Sequence, residues 1–536
     1  MRNKVISVRP YLILGTFGLL VLCYGYFTAC GIIGASILGS ALLCLAALVA
    51  SEYFTMRKEG RTGESKALCA SAFVVLLLIG EFGVSTDSQI SFLISIWRFG
   101  VLFFFCYAIR LDSDCSWSTF RRVCSLRVML LPMLLIVFIC IVSLLQLFFD
   151  LGYNEKGVIR SILFYVGIAL SIYCAAVFIQ GSQEIATVRS IFRWTLAGFL
   201  LLAFFEMTTG FHLPTSWLNS TSETAMLKLA QIGSSDQWIT ATGPFFNPNN
   251  FCLFLSILAC LSLPASSEKG SRKRFGLILF FMSLLAVAVL GSTIVSIAML
   301  VSFSIWRLVT AGCKRASSLL QIGLAVLLVF LGADCAITLI KEASTIIRGQ
   351  SDLVASMGTT VTNAATVTSD LGAQMVNYKN ETGSMWARVT LYQDLVLGIM
   401  QNPFGVGGGG IHSYLSAASS ESGLIDPHSW ILEFTLCYGW IPALLYLGFN
   451  VALVVGLLKQ RRKGQEDYPA ALCAALCASY IASFAPSASD FNTIIWIPVI
   501  LSLAFLVNLR HIKGLWPERS GADLAECSQK AGEAVN

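Results

Sequence analysis

The run RVMLLPMLLIVFICIVSLLQLFF, residues 127–149, carries a charge only at its first position. A helix needs roughly 20 mostly apolar residues to cross the hydrocarbon of a bilayer, so this run reads as a membrane span. The same measure finds about fourteen such stretches. They lie near 11–30, 32–55, 67–85, 88–109, 127–149, 160–181, 190–209, 249–266, 275–291, 293–311, 318–340, 430–457, 469–486 and 491–509. The expected fold is an all-α polytopic membrane protein with a long extracytoplasmic loop before the twelfth span.

Composition agrees. Of the 536 residues, 56% are hydrophobic and only 12% charged, against about 25% charged in soluble domains. The net charge of +6 does not point to nucleic acid, because the basic residues form short clusters between apolar runs, as topology signals do. The seventeen cysteines are scattered mostly through apolar segments, and the polar stretches 210–248 and 342–428 contain none. They read as small buried hydrophobes rather than a disulfide framework.

Arg57, Lys58, Arg61, Arg110, Arg121, Arg122, Lys269, Arg272, Lys273, Arg274, Lys314, Arg315, Lys459, Arg461, Arg462 and Lys463 occupy alternate connections. With Arg189, Arg193 and the termini, they place most of the positive charge on one side. Both termini are then cytoplasmic and both long polar loops extracytoplasmic. The basic N-terminus precedes a first span expected to be retained rather than cleaved, and residues 510–536 read as a short cytoplasmic tail. Arg98, in a predicted span, is either a functional group with a polar partner or a cation reaching the interface.

Polar chemistry concentrates in two places. The first is Thr240-Ala-Thr-Gly-Pro-Phe-Phe-Asn247-Pro248-Asn249-Asn250-Phe251. Local chemistry favours a helix cap at Asn247, and the amides of Asn247, Asn249 and Asn250 could also bind sugar hydroxyls. The second is 384–439. Here Met385, Val389, Tyr392, Leu395, Val396 and Ile399 recur at helical spacing behind Ser384, and Arg388 lies one turn before Tyr392. Gly407–Gly410 permits close backbone approach or a flexible turn, and it lacks the strand and Gly-Lys-Ser/Thr of a phosphate loop. His412 follows it. His428 stands at the start of a span, after Asp426 and Pro427, and a neighbouring carboxylate orients an imidazole or raises its pKa.

The order Gly-Pro-Phe-Phe-Asn-Pro-Asn-Asn-Phe, then Arg388, then Asn-Pro-Phe-Gly-Val-Gly-Gly-Gly, then Pro-His428-Ser-Trp-Ile-Leu-Glu433-Phe and Tyr-Gly439-Trp resembles the O-antigen ligase and polysaccharide polymerase superfamily, which includes teichuronic-acid and capsule polymerases. The resemblance covers residues 195–457. It divides the chain into N-terminal membrane helices (1–194), a ligase/polymerase-like core (195–457, with outer loop 342–428), C-terminal membrane helices (458–509) and the tail (510–536).

What the resemblance implies is a fold like that of C-type glycosyltransferases, inverting and metal-independent, with no cofactor. The donor would be a polyprenyl-pyrophosphate-linked glycan, the acceptor a glycan or lipid-anchored hydroxyl, and membrane lipids the surroundings. Arg388 would steady the pyrophosphate, and His428 would activate the acceptor hydroxyl or contact the phosphate. Asn247, Asn249, Asn250, Tyr392, His412, Asp426 and Glu433 would line the substrate. The chain departs from the family pattern twice. Thr240-Ala-Thr-Gly stands where an arginine often precedes the first glycine, and His428-Ser429 stands for His-Asn. Arg348, Arg160 and Arg98 are the cations left for a second phosphate contact. The alternative class is a transporter, such as a lipid-linked oligosaccharide flippase. Sparse intramembrane charge and polar features gathered in one outer loop favour an enzyme over it. A membrane protein whose loop binds a partner is a third reading.

Overall fold

The structure, a computed structural model, describes residues 53–60, 62–79, 96–113, 118–125, 127–148, 155–210, 240–245, 247–265, 268, 270–311, 321–324, 326, 332–333, 335–340, 342–343, 384–408, 410–411, 414–415, 427, 429–461, 468–484 and 493–515. Among them every regular element is a helix. In chain order these are α1 (Thr62–Ile79), α2 (Ile96–Ser113), α3 (Ser118–Ser125), α4 (Arg127–Phe148) and α5 (Glu155–Phe178). Then come α6 (Ser182–Thr209), α7 (Pro248–Leu261), α8 (Gly270–Val289), α9 (Thr293–Ala311) and α10 (Ser384–Gln401). The last four are α11 (Trp430–Tyr438), α12 (Trp440–Arg461), α13 (Tyr468–Ala482) and α14 (Thr493–Leu515).

Among the described residues, five helices are long and apolar enough to cross a membrane, over Met129–Phe148, Lys156–Phe178, Gln183–Thr209, Thr293–Thr310 and Trp440–Gln460. Their outward faces are apolar. Leu130, Val137, Ile141 and Phe148 on α4, Leu201 and Phe204 on α6, and Leu444 and Val451 on α12 are all exposed. Water would penalise such continuous apolar faces, whereas lipid tails do not. Polar groups such as Glu206 and Asn508 are buried instead. This is a membrane protein.

At the centre stand two shorter apolar helices, α7 and α13, packed against each other. Every residue of α7 from Phe251 to Leu261 is buried, as expected of a helix that is hydrophobic all round. α6 runs antiparallel beside α7 and holds both its ends. At the α7 C-terminus, Arg189 donates to the Leu263 carbonyl (2.8 Å) and Arg193 to the Ser262 carbonyl (3.1 Å). Both guanidiniums also meet the Glu268 carboxylate, at 3.0 and 2.6 Å. At the other end, Glu206 Oε2 accepts from the Thr242 and Gly243 backbone N–H groups (2.7 and 3.1 Å). Cations therefore sit at the negative pole of α7 and an anion beside its positive pole, the favourable arrangement at both.

α13 runs antiparallel to α7 as well. The Tyr468 ring lies under the Arg189 guanidinium, 5.4 Å away, which puts the start of α13 at the end of α7. At 1.5 Å rise per residue both helices are about 21–22 Å long.

The apolar stretch predicted as one span over 430–457 is two helices. Trp430 and Tyr446 have ring centroids only 4.4 Å apart, and Phe434 and Tyr446 5.6 Å. A continuous helix would separate Trp430 from Tyr446 by about 24 Å. α11 therefore folds back on α12 at Gly439, whose φ of +84° favours glycine. Hydropathy sums composition and is blind to this reversal.

Candidate functional site

The fold-back leaves carbonyls at the end of α11 without helical partners, and the segment after α10 satisfies them. Val406 N–H donates to the Leu436 carbonyl (2.8 Å) and Gly407 N–H to that of Cys437 (3.1 Å), while Trp440 N–H reaches the Pro403 carbonyl (3.3 Å). Gln146, near the end of α4, donates from Nε2 to the Phe404 and Cys437 carbonyls, both at 3.2 Å. Glycines make this contact possible. A Cβ on Gly405 would run into the Cys437 carbonyl, one on Gly439 into the Pro403 carbonyl, and one on Gly408 into Ser161 Oγ. Of the two readings open for the glycine run, close backbone approach is the one the structure adopts at Gly407 and Gly408. Beneath it, Ser161 and Tyr438 share a hydrogen bond of 2.7 Å.

α11 starts at Ser429, whose hydroxyl caps it by accepting from Leu432 N–H (3.5 Å), and Trp430 N–H donates to the Ser483 carbonyl (3.1 Å). Glu433 lies in its first turn and is buried. Trp430, Phe434, Tyr438, Tyr446, Trp496 and Tyr165 form one aromatic cluster across α5, α11, α12 and α14. A short helix wedged into such a cluster is held rigidly.

Asn247 is the N-cap of α7. Its Oδ1 accepts from Asn249 N–H at 2.8 Å, and Pro248 occupies the first turn, where its missing N–H costs nothing. Gly243, at φ +54°, turns the chain into this cap so tightly that a Cβ would meet the Phe251 ring at 2.8 Å. Asn249 Oδ1 accepts from Ser292 Oγ at 3.3 Å, tying α7 to the start of α9. The half-buried Asn250 has a buried Oδ1 that meets no donor among the described residues.

Arg388 lies in the first turns of α10, and Tyr392, one turn on, is half-buried against the core. The buried stripe of α10 is Leu391, Leu395 and Ile399, with Val396 exposed, so it is turned slightly from the periodicity read in the sequence. α10 packs against α11, which brings the Arg388 helix and the Glu433 helix together. His428, His412, Asp426 and Arg348 lie outside the described residues. Arg160 is half-buried beside Ser161 on α5. Arg98 is buried in the first turn of α2, next to Trp97, whose ring packs on Phe164 at 5.5 Å.

Each of the two polar motifs opens a capped helix. Trp430 N–H meets the Ser483 carbonyl just past α13, and the Arg189–Arg193–Glu268 cluster stands at the end of α7 opposite Asn247. No protein-family model matches the chain, and no curated protein matches it. The arrangement offers two capped helix N-termini, α7 and α11, whose positive poles suit an anion.

Sequence reading missed Gln146, Ser161, Tyr438 and Glu206 as parts of this framework. The signal for Gln146 and Glu206 was present: each is a polar residue inside or closing an apolar run. Their partners, hundreds or tens of residues away, were not legible.

Proposed function

We propose that this protein is a membrane glycosyltransferase of the polysaccharide-polymerase or O-antigen-ligase type, acting in cell-envelope polysaccharide biosynthesis. It moves a glycan from a polyprenyl-pyrophosphate carrier to an acceptor hydroxyl on the outer face. The observation that carries the reading is that each of the two polar motifs opens a capped helix, Asn247 at the start of α7 and Ser429 at the start of α11. About fourteen spans with both termini cytoplasmic complete the picture.

Outside the cytoplasm the leaving group must bring its own activation, and a lipid pyrophosphate departs as a stabilised anion. The acceptor oxygen attacks the anomeric carbon from the face opposite the pyrophosphate. As the new C–O bond forms, the old one breaks and its electron pair leaves with the pyrophosphate, inverting the centre. His428 takes the hydroxyl proton, a role suited to an imidazole with an ordinary pKa of about 6.5. Arg388 supplies a planar fork of donors to the phosphate oxygens, and the helix poles favour the same charge. Asn247, Asn249, Asn250, Tyr392, His412, Asp426 and Glu433 shape the substrate cavity.

The test is the purified chain in lipid nanodiscs with a polyprenyl-pyrophosphate-linked repeat. The expected products are a longer lipid-linked glycan and free polyprenyl pyrophosphate, formed equally with and without chelator. No transfer to any acceptor, or transfer lost with chelator and restored by a divalent ion, contradicts the reading.

A further inference from the structure

At the end of α4 opposite Gln146 and the glycine segment lies a groove of about 270 Å³, walled by α2, α3, α4 and α5. Its walls are apolar and include Phe105, Phe120, Val123, Met133, Ile136 and Leu170. α3 is a short, strongly amphipathic helix. It gives Phe120 and Val123 to the groove, while Arg121 points to the exposed side. Pro132, inside α4, also lines it, and its ring denies that turn one backbone hydrogen bond and favours a bend. From Met129 to Ile136 its lining on α4 extends about 10 Å along the helix axis. Arg110 and Arg121, both exposed, stand beside the lining residues Ile109 and Phe120, so cations flank the mouth.

We propose that this groove holds one acyl chain of an anionic phospholipid whose phosphate sits beside Arg121. Apolar walls match the chain, the cationic mouth matches the headgroup, and the length suits part of one chain. A polyprenyl-pyrophosphate donor is the poorer occupant, because its phosphates belong at the other end of the bundle under the proposed function. The lipid site itself does not depend on that function.

The probe is phosphatidylglycerol carrying a photoreactive group midway along one acyl chain, in nanodiscs of phosphatidylcholine holding the full chain. Crosslinks are expected to concentrate on peptides with Met133, Ile136 and Leu170, above the lipid-facing Leu444 and Val451. Arg121→Gln should lower groove labelling about fivefold, the effect of one basic residue near an anionic lipid. Leu170→Trp, which fills the groove, should lower it further. Equal labelling of the groove and of Val451, or labelling indifferent to Arg121→Gln and to replacing the probe by photoreactive phosphatidylcholine, overturns the proposal. If Leu170→Trp fails to accumulate, Arg121→Gln at its exposed position decides alone.

Discussion

Arg193 and Glu206, both on α6, hold opposite ends of α7: Arg193 through the Ser262 carbonyl, Glu206 through the Thr242 and Gly243 N–H groups. The bracket fixes the height of the Asn247 cap relative to the basic cluster at the other end. It also sets a carboxylate behind the turn that precedes the cap. Burying these charges is tolerable because each is hydrogen-bonded, and removing either partner leaves a buried group unsatisfied.

Glu206→Ala should therefore destabilise the protein by about 3 kcal/mol, the upper range for hydrogen bonds to a charged group. Glu206→Gln, whose amide oxygen still accepts, should lose less. Thermal unfolding in detergent, followed by tryptophan fluorescence, measures both. An alanine variant as stable as the parent would show that α7 does not depend on this bracket.

The glycines at the fold-back make a second prediction. Gly405 and Gly439 have φ of +85° and +84°, and a Cβ on either would strike backbone. Each alanine variant should cost more than the ~1–2 kcal/mol of the left-handed conformation alone, and little folded protein should accumulate. Gly448, within α12, has open space where a Cβ would stand. Gly448→Ala should be neutral or stabilising by up to about 1 kcal/mol. Equal effects at all three would argue against the fold-back.

Topology gives a third. Reporters fused within 350–380 should signal the outer face, and reporters after 510 the cytoplasm. A cytoplasmic signal from 350–380 would put the proposed site in the wrong compartment for a lipid-pyrophosphate donor.

At the site, His428→Ala should reduce transfer by about 10²–10⁴-fold, the usual contribution of one positioned base. Arg388→Ala should reduce it comparably, while both variants still insert and accumulate. The readout is initial transfer rate at matched protein level in membranes. Wild-type rates from either would remove that residue from the mechanism.

Much of the helical scaffold is legible in the sequence because a span is a property of composition over a local window. The run 127–149 becomes α4, Arg127–Phe148, and 293–311 becomes α9 at both ends. Direction is not a property of composition, which is why 430–457 read as one span although Gly439 reverses it. The Asn247 cap was legible because its partner, Asn249 N–H, is two residues away. The Arg189–Arg193–Glu268 cluster read only as a topology signal, since the carboxylate that pairs the two arginines comes about 75 residues later. Gln146 is a polar residue inside an apolar run, and its two carbonyl partners come more than 250 residues on.

The most direct test of glycosyl transfer is the size and attachment of surface glycan in cells lacking this protein, complemented with wild type or with His428→Ala. Wild type should restore the product, and His428→Ala should not. In the deficient cells, single lipid-linked repeats would accumulate for a polymerase, and long lipid-linked chains that never reach their anchor for a ligase. Restoration by His428→Ala equal to wild type would contradict transfer at this site and bring a flippase forward.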